Sequence, residues 1–156
     1  MLRDYIDRFY SKLYERTLDL RKNDYEKAIK LASWKHRILN LWNKIEVKEI
    51  LYPDIDRKTV DVGVNYKTEV VLDLNGLNPE EISLEFIIGN QRVDGTRREL
   101  ISTQEYKLEG MEGSVARYQL EVSPAQAGIF DYGIRITPQN SDIDCSKDMG
   151  LVRWIS

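Results

Sequence analysis

The chain has 156 residues, with 23 Lys plus Arg, 26 Asp plus Glu, one His and one Cys. This length is enough for one domain with its own core and too short for most multidomain enzymes. A formal net charge of -3 argues against nucleic acid and anionic membrane surfaces as general partners. The single Cys145 excludes an internal disulfide, and no apolar run reaches the about 20 residues of a membrane helix. We therefore expect a cytoplasmic globular chain that binds neither nucleic acid nor membrane.

The first 45 residues have the pattern of two helices. Within residues 2–20, which contain no Gly or Pro, apolar side chains recur three, four or seven positions apart, as on one face of an α-helix. The polar residues 21–24 interrupt this pattern, and Asn23 and Glu26 have the spacing of an N-cap and its capping-box partner. The sequence therefore predicts a helical hairpin over residues 1–45.

The second predicted helix is apolar on two adjacent sides. One side contains Tyr25, Ile29, Ala32, His36 and Leu39, and the other contains Ala28, Leu31, Ile38 and Trp42. A hairpin hides only one face of each helix, so we expect an apolar surface that docks on a larger body, either another part of a longer protein or a second copy. The candidate docking residues are Tyr10, Tyr14, Trp34 and Trp42. The alternative is that the rest of the chain or a symmetry mate covers them.

Residues 46–156 have the pattern of a β-sandwich. Apolar and polar residues alternate in several runs, which places every second side chain on one face of a strand. The predicted strands lie near 60–64, 70–74, 82–88, 99–106, 118–122, 130–136 and 151–155. About seven short strands separated by turn residues are typical of an immunoglobulin-like antiparallel β-sandwich. The predicted fold is thus mainly β, with an N-terminal helical hairpin over 1–45 and a sandwich over 46–156.

Candidate catalytic and metal-binding groups are few. His36 is the only histidine, and it lies on an apolar side of the second predicted helix, which favours helix packing or an interface hydrogen bond. Cys145 lies in a polar segment with no histidine nearby in the sequence. Asn140, Asp142 and Asp144 have the spacing of the first three calcium ligands of a calcium-binding loop, but the glycine and glutamate that complete such a loop are missing. We therefore predict no catalytic, cofactor or metal site in this chain.

Four groups of residues carry a family resemblance. They are Leu2-Arg3-Asp4-Tyr5 with Phe9-Tyr10, Ala32-Ser33-Trp34-Lys35 and Arg37 with Trp42, Tyr132-Gly133-Ile134-Arg135-Ile136 with Pro138 and Asn140, and Gly150-Leu151-Val152-Arg153-Trp154. In this order and spacing they resemble the C-terminal region of bacterial-type α-glucan (glycogen/starch) phosphorylases. The resemblance covers nearly all of the chain. Residues 141–147 depart from it, because they are polar and acidic where the family usually has an apolar, proline-containing segment.

The resemblance implies that this chain is a non-catalytic accessory region. The parent glycosyltransferase would use pyridoxal phosphate to release glucose 1-phosphate from α-1,4-glucans. The family's cofactor lysine lies upstream of the matching segment, so no residue here is assigned to that cofactor. The alternative is a glycan-binding module that stacks exposed aromatic side chains on α-glucan rings. Its candidate residues are Tyr66, Tyr106 and Trp154.

Overall fold

The fold is described from a computed structural model of the chain, and the structure describes residues 11–52, 63–91, 98–123, 131–143 and 149–155. The chain divides into two compact units, residues 1–40 and residues 41–156. The described part of the first unit is helical, and that of the second consists mainly of β-strands. No helix in the described ranges is long and apolar enough to cross a membrane.

One helix occupies most of the region where the sequence predicts two. It is α1, Ser11–Leu41, with 31 residues. The predicted interruption at residues 21–24 does not end the helix, so the prediction of a hairpin is wrong for the described residues. The interruption is nevertheless visible in the backbone, because Asn23 and Tyr25 have positive φ values of 51° and 63°. Asn adopts this left-handed conformation more readily than most residues do, whereas an N-cap residue would have an extended backbone.

Eight strands follow a short 3-10 helix, Trp42–Lys44, in the described part of the chain. They are β1 Glu46–Leu51, β2 Tyr66–Asp73, β3 Ile82–Gln91, β4 Arg98–Glu105, β5 Lys107–Glu112, β6 Val115–Val122, β7 Asp131–Pro138 and β8 Arg153–Ile155. They form two four-stranded sheets, in the order β1-β2-β6-β5 and β4-β3-β7-β8. All of the strand pairs are antiparallel.

The core of the second unit confirms the predicted alternation. Alternate residues in the middle of the central strands are buried, and they include Val70, Leu72, Leu84, Phe86, Tyr118, Ile134 and Ile136. These strands are the middle members of the two sheets. The alternation arises because one face of each strand packs in the core, and it is broken at Val71 and Thr137, which are buried as well.

The number of strands differs from the prediction of about seven. The sequence did not predict β1 and β5, and both are edge strands with a register shift, between Val47 and Glu49 in β1 and between Leu108 and Gly110 in β5. Such bulges interrupt the period of two, and all six residues of β5 are exposed, so no apolar face marks it. Of the strand predicted at 60–64, residues 60–62 lie outside the described ranges, whereas Gly63 and Val64 are not in a strand.

The chain crosses from the second sheet to the first at Tyr106. This residue alone separates β4 from β5. Its backbone N–H donates to the Leu84 carbonyl oxygen at 2.8 Å. Its hydroxyl lies 3.1 Å from Oγ1 of Thr68, which itself donates to the Leu51 carbonyl oxygen at 3.2 Å. Burial raises the pKa of Tyr106 to about 12. Tyr106 therefore connects both sheets through the backbone and the side chain.

Candidate functional site

Of the two apolar sides predicted for the second half of α1, one has buried side chains and the other is exposed. Leu31 and Ile38 are only 9% and 0% exposed. The other side, which we call the exposed stripe, is formed by Tyr25, Ile29, Ala32, His36 and Leu39, and all five residues are exposed. Its large apolar members, Tyr25, Ile29 and Leu39, are 54%, 60% and 52% exposed. An apolar stripe of this kind is typical of a helix surface that another molecule or segment covers.

The predicted docking residues are not all on a surface. Trp42 is only 5% exposed, so its burial removes it from any docking surface that the chain presents. Trp34 is half-buried, and its Nε1 is buried without a hydrogen-bond partner in the described part of the chain. Tyr14 is 65% exposed. Tyr10 lies outside the described residues. The exposed stripe also contains Ile29 and Leu39, two exposed aliphatic residues that are not among the aromatic docking candidates.

The three predicted glycan-stacking residues differ in their exposure to solvent. Tyr106 is 5% exposed and its hydroxyl is hydrogen-bonded inside the protein, so it cannot stack on a ligand. Tyr66 is half-buried at the start of β2. Trp154, in β8, is 58% exposed and is paired with Arg135 of β7. Trp154 is therefore the member of this set with a ring surface open to solvent.

The ring of Trp154 is held in place by its neighbours on β7. A Cβ atom at Gly133 would lie 3.1 Å from Cζ3 and 3.3 Å from Cε3 of Trp154, so the six-membered ring covers this glycine closely. The guanidinium carbon of Arg135 lies 5.8 Å from the ring centroid, which is within the range of a cation–π contact. Gly133 and Arg135 lie on the face of the second sheet opposite to buried Ile134 and Ile136, so this is the outer face.

A salt bridge lies beside this ring. Nε of Arg135 donates to Oε2 of Glu85 at 2.8 Å, and Nη2 of Arg135 lies 2.6 Å from the same carboxylate oxygen. Both side chains are about one-fifth exposed, at 22% and 20%. No local sequence signal predicts this pair, because the two residues are 50 positions apart and meet only through the register of β3 and β7.

Arg153 and Trp154 point to different sides of the short strand β8. Nη1 of Arg153 donates to the Ile45 carbonyl oxygen at 2.5 Å, and Ile45 is 1% exposed. This bond joins positions 108 residues apart in the sequence. Arg153 therefore holds the beginning of the second unit against its last strand, whereas Trp154 faces the solvent.

Of the remaining candidates, the structure describes His36, Asn140 and Asp142. His36 is exposed on α1, and Cys145 and Asp144 lie outside the described residues. The Asn140 side-chain oxygen accepts from the Asp142 backbone N–H at 2.8 Å, which is a local turn contact. Among the described residues there is no group of three or more His, Cys, Asp or Glu side chains that could hold a metal ion.

Comparisons with known proteins place the chain among phosphorylases. The model of a family described as "Glycogen phosphorylase C-terminal domain" matches residues 42–156. A maltodextrin phosphorylase of Thermococcus litoralis is 27% identical over 158 aligned positions, which cover 99% of this chain and 18% of that protein. A glycogen phosphorylase of Mycobacterium tuberculosis is 20% identical over 152 positions, which cover 97% and 18%. The chain thus spans about one-fifth of the length of these curated relatives.

Proposed function

The chain belongs to the glycogen phosphorylase C-terminal domain family, and from this premise we propose that it is a non-catalytic accessory region of an α-glucan phosphorylase. In this proposal the parent protein is a glycosyltransferase that releases glucose 1-phosphate from α-1,4-glucans. The observation that carries the proposal is the family match over residues 42–156, supported by the similarity to a maltodextrin phosphorylase and to glycogen phosphorylases.

Pyridoxal phosphate is the cofactor that we expect in the parent enzyme. A lysine that forms a Schiff base usually lies in a desolvated pocket, where its pKa is lowered. None of the lysines whose side chains the structure describes is buried: Lys27 and Lys35 are half-buried, and the others are exposed. The described lysines therefore do not fit this cofactor, and the proposal places its lysine in the part of the parent that precedes this chain.

The exposed stripe of α1 is the docking surface in this proposal. The curated relatives are more than five times as long as this chain, so a large catalytic region is available as the partner. Full burial of one large apolar side chain contributes about 1.5–3 kcal/mol, and Tyr25, Ile29 and Leu39 are each about half exposed. Covering them would contribute roughly 1 kcal/mol each, or about 3 kcal/mol in total. Tyr14, which is 65% exposed, extends the same helix and remains a candidate.

The test uses two matched leucines. Leu39→Glu changes the exposed stripe, and Leu100→Glu changes a leucine of β4 that is 63% exposed against 52% for Leu39. Glu and Leu have similar helix propensities, so Leu39→Glu leaves α1 intact, which far-UV circular dichroism checks. We expect the upstream region of the parent, expressed separately, to bind the chain, and Leu39→Glu to weaken this binding at least tenfold. Leu100→Glu should have no effect. Equal binding by both variants would refute docking through the stripe.

We also infer that the two sheets form an immunoglobulin-like sandwich. The strand order β1-β2-β6-β5 and β4-β3-β7-β8 supports this inference. If β4 is taken as the additional strand C′ and the other seven strands are lettered A to G in chain order, the two sheets are ABED and C′CFG, as in immunoglobulin folds. A cytoplasmic location is part of the same proposal, and the single Cys145, which excludes an internal disulfide, is its support.

A further inference from the structure

We propose that the outer face of the second sheet binds an α-linked glucose oligosaccharide, with Trp154 as the stacking residue and Glu85 and Arg135 as the hydrogen-bonding residues. The identity of the sugar rests on the proposed function. The existence of the site rests on the geometry around Trp154 and goes beyond docking on the parent enzyme.

The indole of Trp154 is an ordered, open surface. Gly133 lies directly beneath its six-membered ring, so close that a Cβ atom there would be in tight contact with the ring. Because 58% of the residue is exposed, the side of the ring away from β7 faces the solvent. Arg135, paired with Trp154 across the two strands, restrains the ring from the side. A ring that is already ordered loses little conformational entropy when a ligand stacks on it.

The salt bridge offers hydrogen-bonding groups next to this ring. Both contacts between the side chains of Arg135 and Glu85 use the same carboxylate oxygen, Oε2. Oε1 of Glu85 and Nη1 of Arg135 lie outside these two contacts, and the described part of the chain provides no hydrogen-bond partner for the indole N–H of Trp154. These three groups are the acceptor and the donors that the proposal offers to a ligand, and sugar hydroxyl groups both donate and accept.

This combination favours a sugar over an apolar partner. A pyranose ring presents C–H groups on its face and hydroxyl groups around its edge. The C–H groups suit the negative face of an indole ring, and the hydroxyl groups suit the charged pair beside it. Covering Gly133 accounts for an aromatic residue at this position, but it does not require a charged pair beside the ring.

The site is long enough for more than one sugar ring. Glu105, Glu85, Arg135 and Trp154 lie in register across all four strands of the sheet, and Oγ of Ser83 donates to Oε1 of Glu105 at 2.9 Å. Four strands at a spacing of about 4.8 Å extend over about 14 Å. The row of polar side chains that begins at Trp154 therefore accommodates an oligosaccharide lying across the strands.

An NMR titration of the 15N-labelled chain with maltoheptaose tests the proposal. We expect saturable shifts of the Trp154 indole signal and of the Gly133 and Arg135 amide signals, with the Trp34 and Trp42 indoles unaffected. Trp154→Ala should weaken binding about tenfold, because the stacking contact is lost. If that variant does not fold, Trp154→Phe keeps a ring over Gly133 and should give an intermediate loss. Tyr14→Ala is the control, since it removes an equally exposed aromatic side chain from α1.

Three results would overturn the proposal. The first is the absence of a saturable shift, or binding by Trp154→Ala within twofold of the unchanged chain. The second is equal or tighter binding of cellohexaose, whose β linkages would contradict an α-glucan site. The third is a Trp154 signal that shifts with protein concentration alone, because a second copy would then cover the ring. None of these results affects the docking test with Leu39→Glu, so a failure of the sugar site and a failure of the proposed function can be distinguished.

Discussion

The hydrogen bond between Tyr106 and Thr68 allows a quantitative test of how the two sheets are held together. Thr68 has a single hydroxyl proton, which it donates to the Leu51 carbonyl oxygen, so Tyr106 must be the donor in the bond between the two hydroxyl groups. Tyr106 is 5% exposed and Thr68 is 1% exposed, so water does not replace a lost partner. The two single substitutions should therefore have unequal costs.

Tyr106→Phe removes the donor and leaves Thr68 with its bond to Leu51. Its cost should be that of one net hydrogen bond, about 1 kcal/mol. Thr68→Val leaves the Tyr106 hydroxyl buried without an acceptor and should cost about 2 kcal/mol. In the double variant the unpaired Tyr106 hydroxyl is absent. The combined cost should therefore be about 2 kcal/mol, and not the sum of the two single costs, about 3 kcal/mol. The expected coupling is therefore about 1 kcal/mol.

The assay is equilibrium unfolding in urea, followed by the amide NMR signals of β2 and β3 so that only the second unit is measured. The free energies of unfolding of the four proteins form a double-mutant cycle. A difference of 1 kcal/mol shifts the melting temperature of a protein of this size by about 3 °C, so thermal unfolding provides an independent check. Additive costs, with a coupling below about 0.4 kcal/mol, would refute the assigned bond.

The remaining predictions concern alkaline stability and the bond made by Arg153. The pKa of Tyr106 is about 12 in the folded chain and about 10 when unfolded, so the unfolded state releases this proton first and stability falls between pH 10 and 12. Urea titrations should show a shallower fall for Tyr106→Phe, by up to about 1.4 kcal/mol per pH unit; an identical fall would contradict the assignment. Arg153→Leu should cost about 1.5–3 kcal/mol in urea unfolding, because a charged hydrogen bond to the carbonyl of buried Ile45 is lost. The control, Arg117→Leu, breaks an ion pair on the surface with Glu69 and should cost less than about 1 kcal/mol; equal costs would mean that the Arg153 bond is weak.

The sequence predicted the central strands of both sheets but missed two of the four edge strands, for a physical reason. In β3 and β7 one face is buried, so Leu84, Phe86, Ile134 and Ile136 leave a period of two in the sequence. The edge strands β1 and β5 each contain a bulge, and β5 has no buried face. Neither strand therefore shows an apolar period of two in its sequence. A strand without an apolar face can be recognised only from its partner, and partners are not visible locally.

The helical region shows a different limit. The sequence showed both apolar sides of α1, but periodicity does not tell which of two apolar sides is covered. Ile38 proved to be buried, and Ile29 proved to be exposed. Likewise, the capping signal at Asn23 marked a real change of backbone conformation, yet the helix continued through it. Local propensity is a weak determinant when packing favours a longer helix.

The glycan-stacking candidates share an aromatic side chain, but residue type does not reveal which of them is exposed. Trp154 is open to solvent, whereas Tyr106 lies between the sheets, and no local pattern distinguishes them. The groups that give Trp154 its surroundings, Glu85 and Arg135, meet only through strand register. Long-range pairing of this kind is outside the reach of single-sequence reasoning.

The bulge in β5 also affects how the protein behaves at high concentration. This strand is an edge of the first sheet, and its exposed Leu108 and Met111, each 46% exposed, would otherwise invite a strand of another molecule. The register shift before Gly110 breaks the even spacing of the free backbone groups. Glu109 and Glu112 add negative charge along the same edge. The bulge that interrupts the period of two in β5 therefore also disfavours edge-to-edge pairing with another molecule.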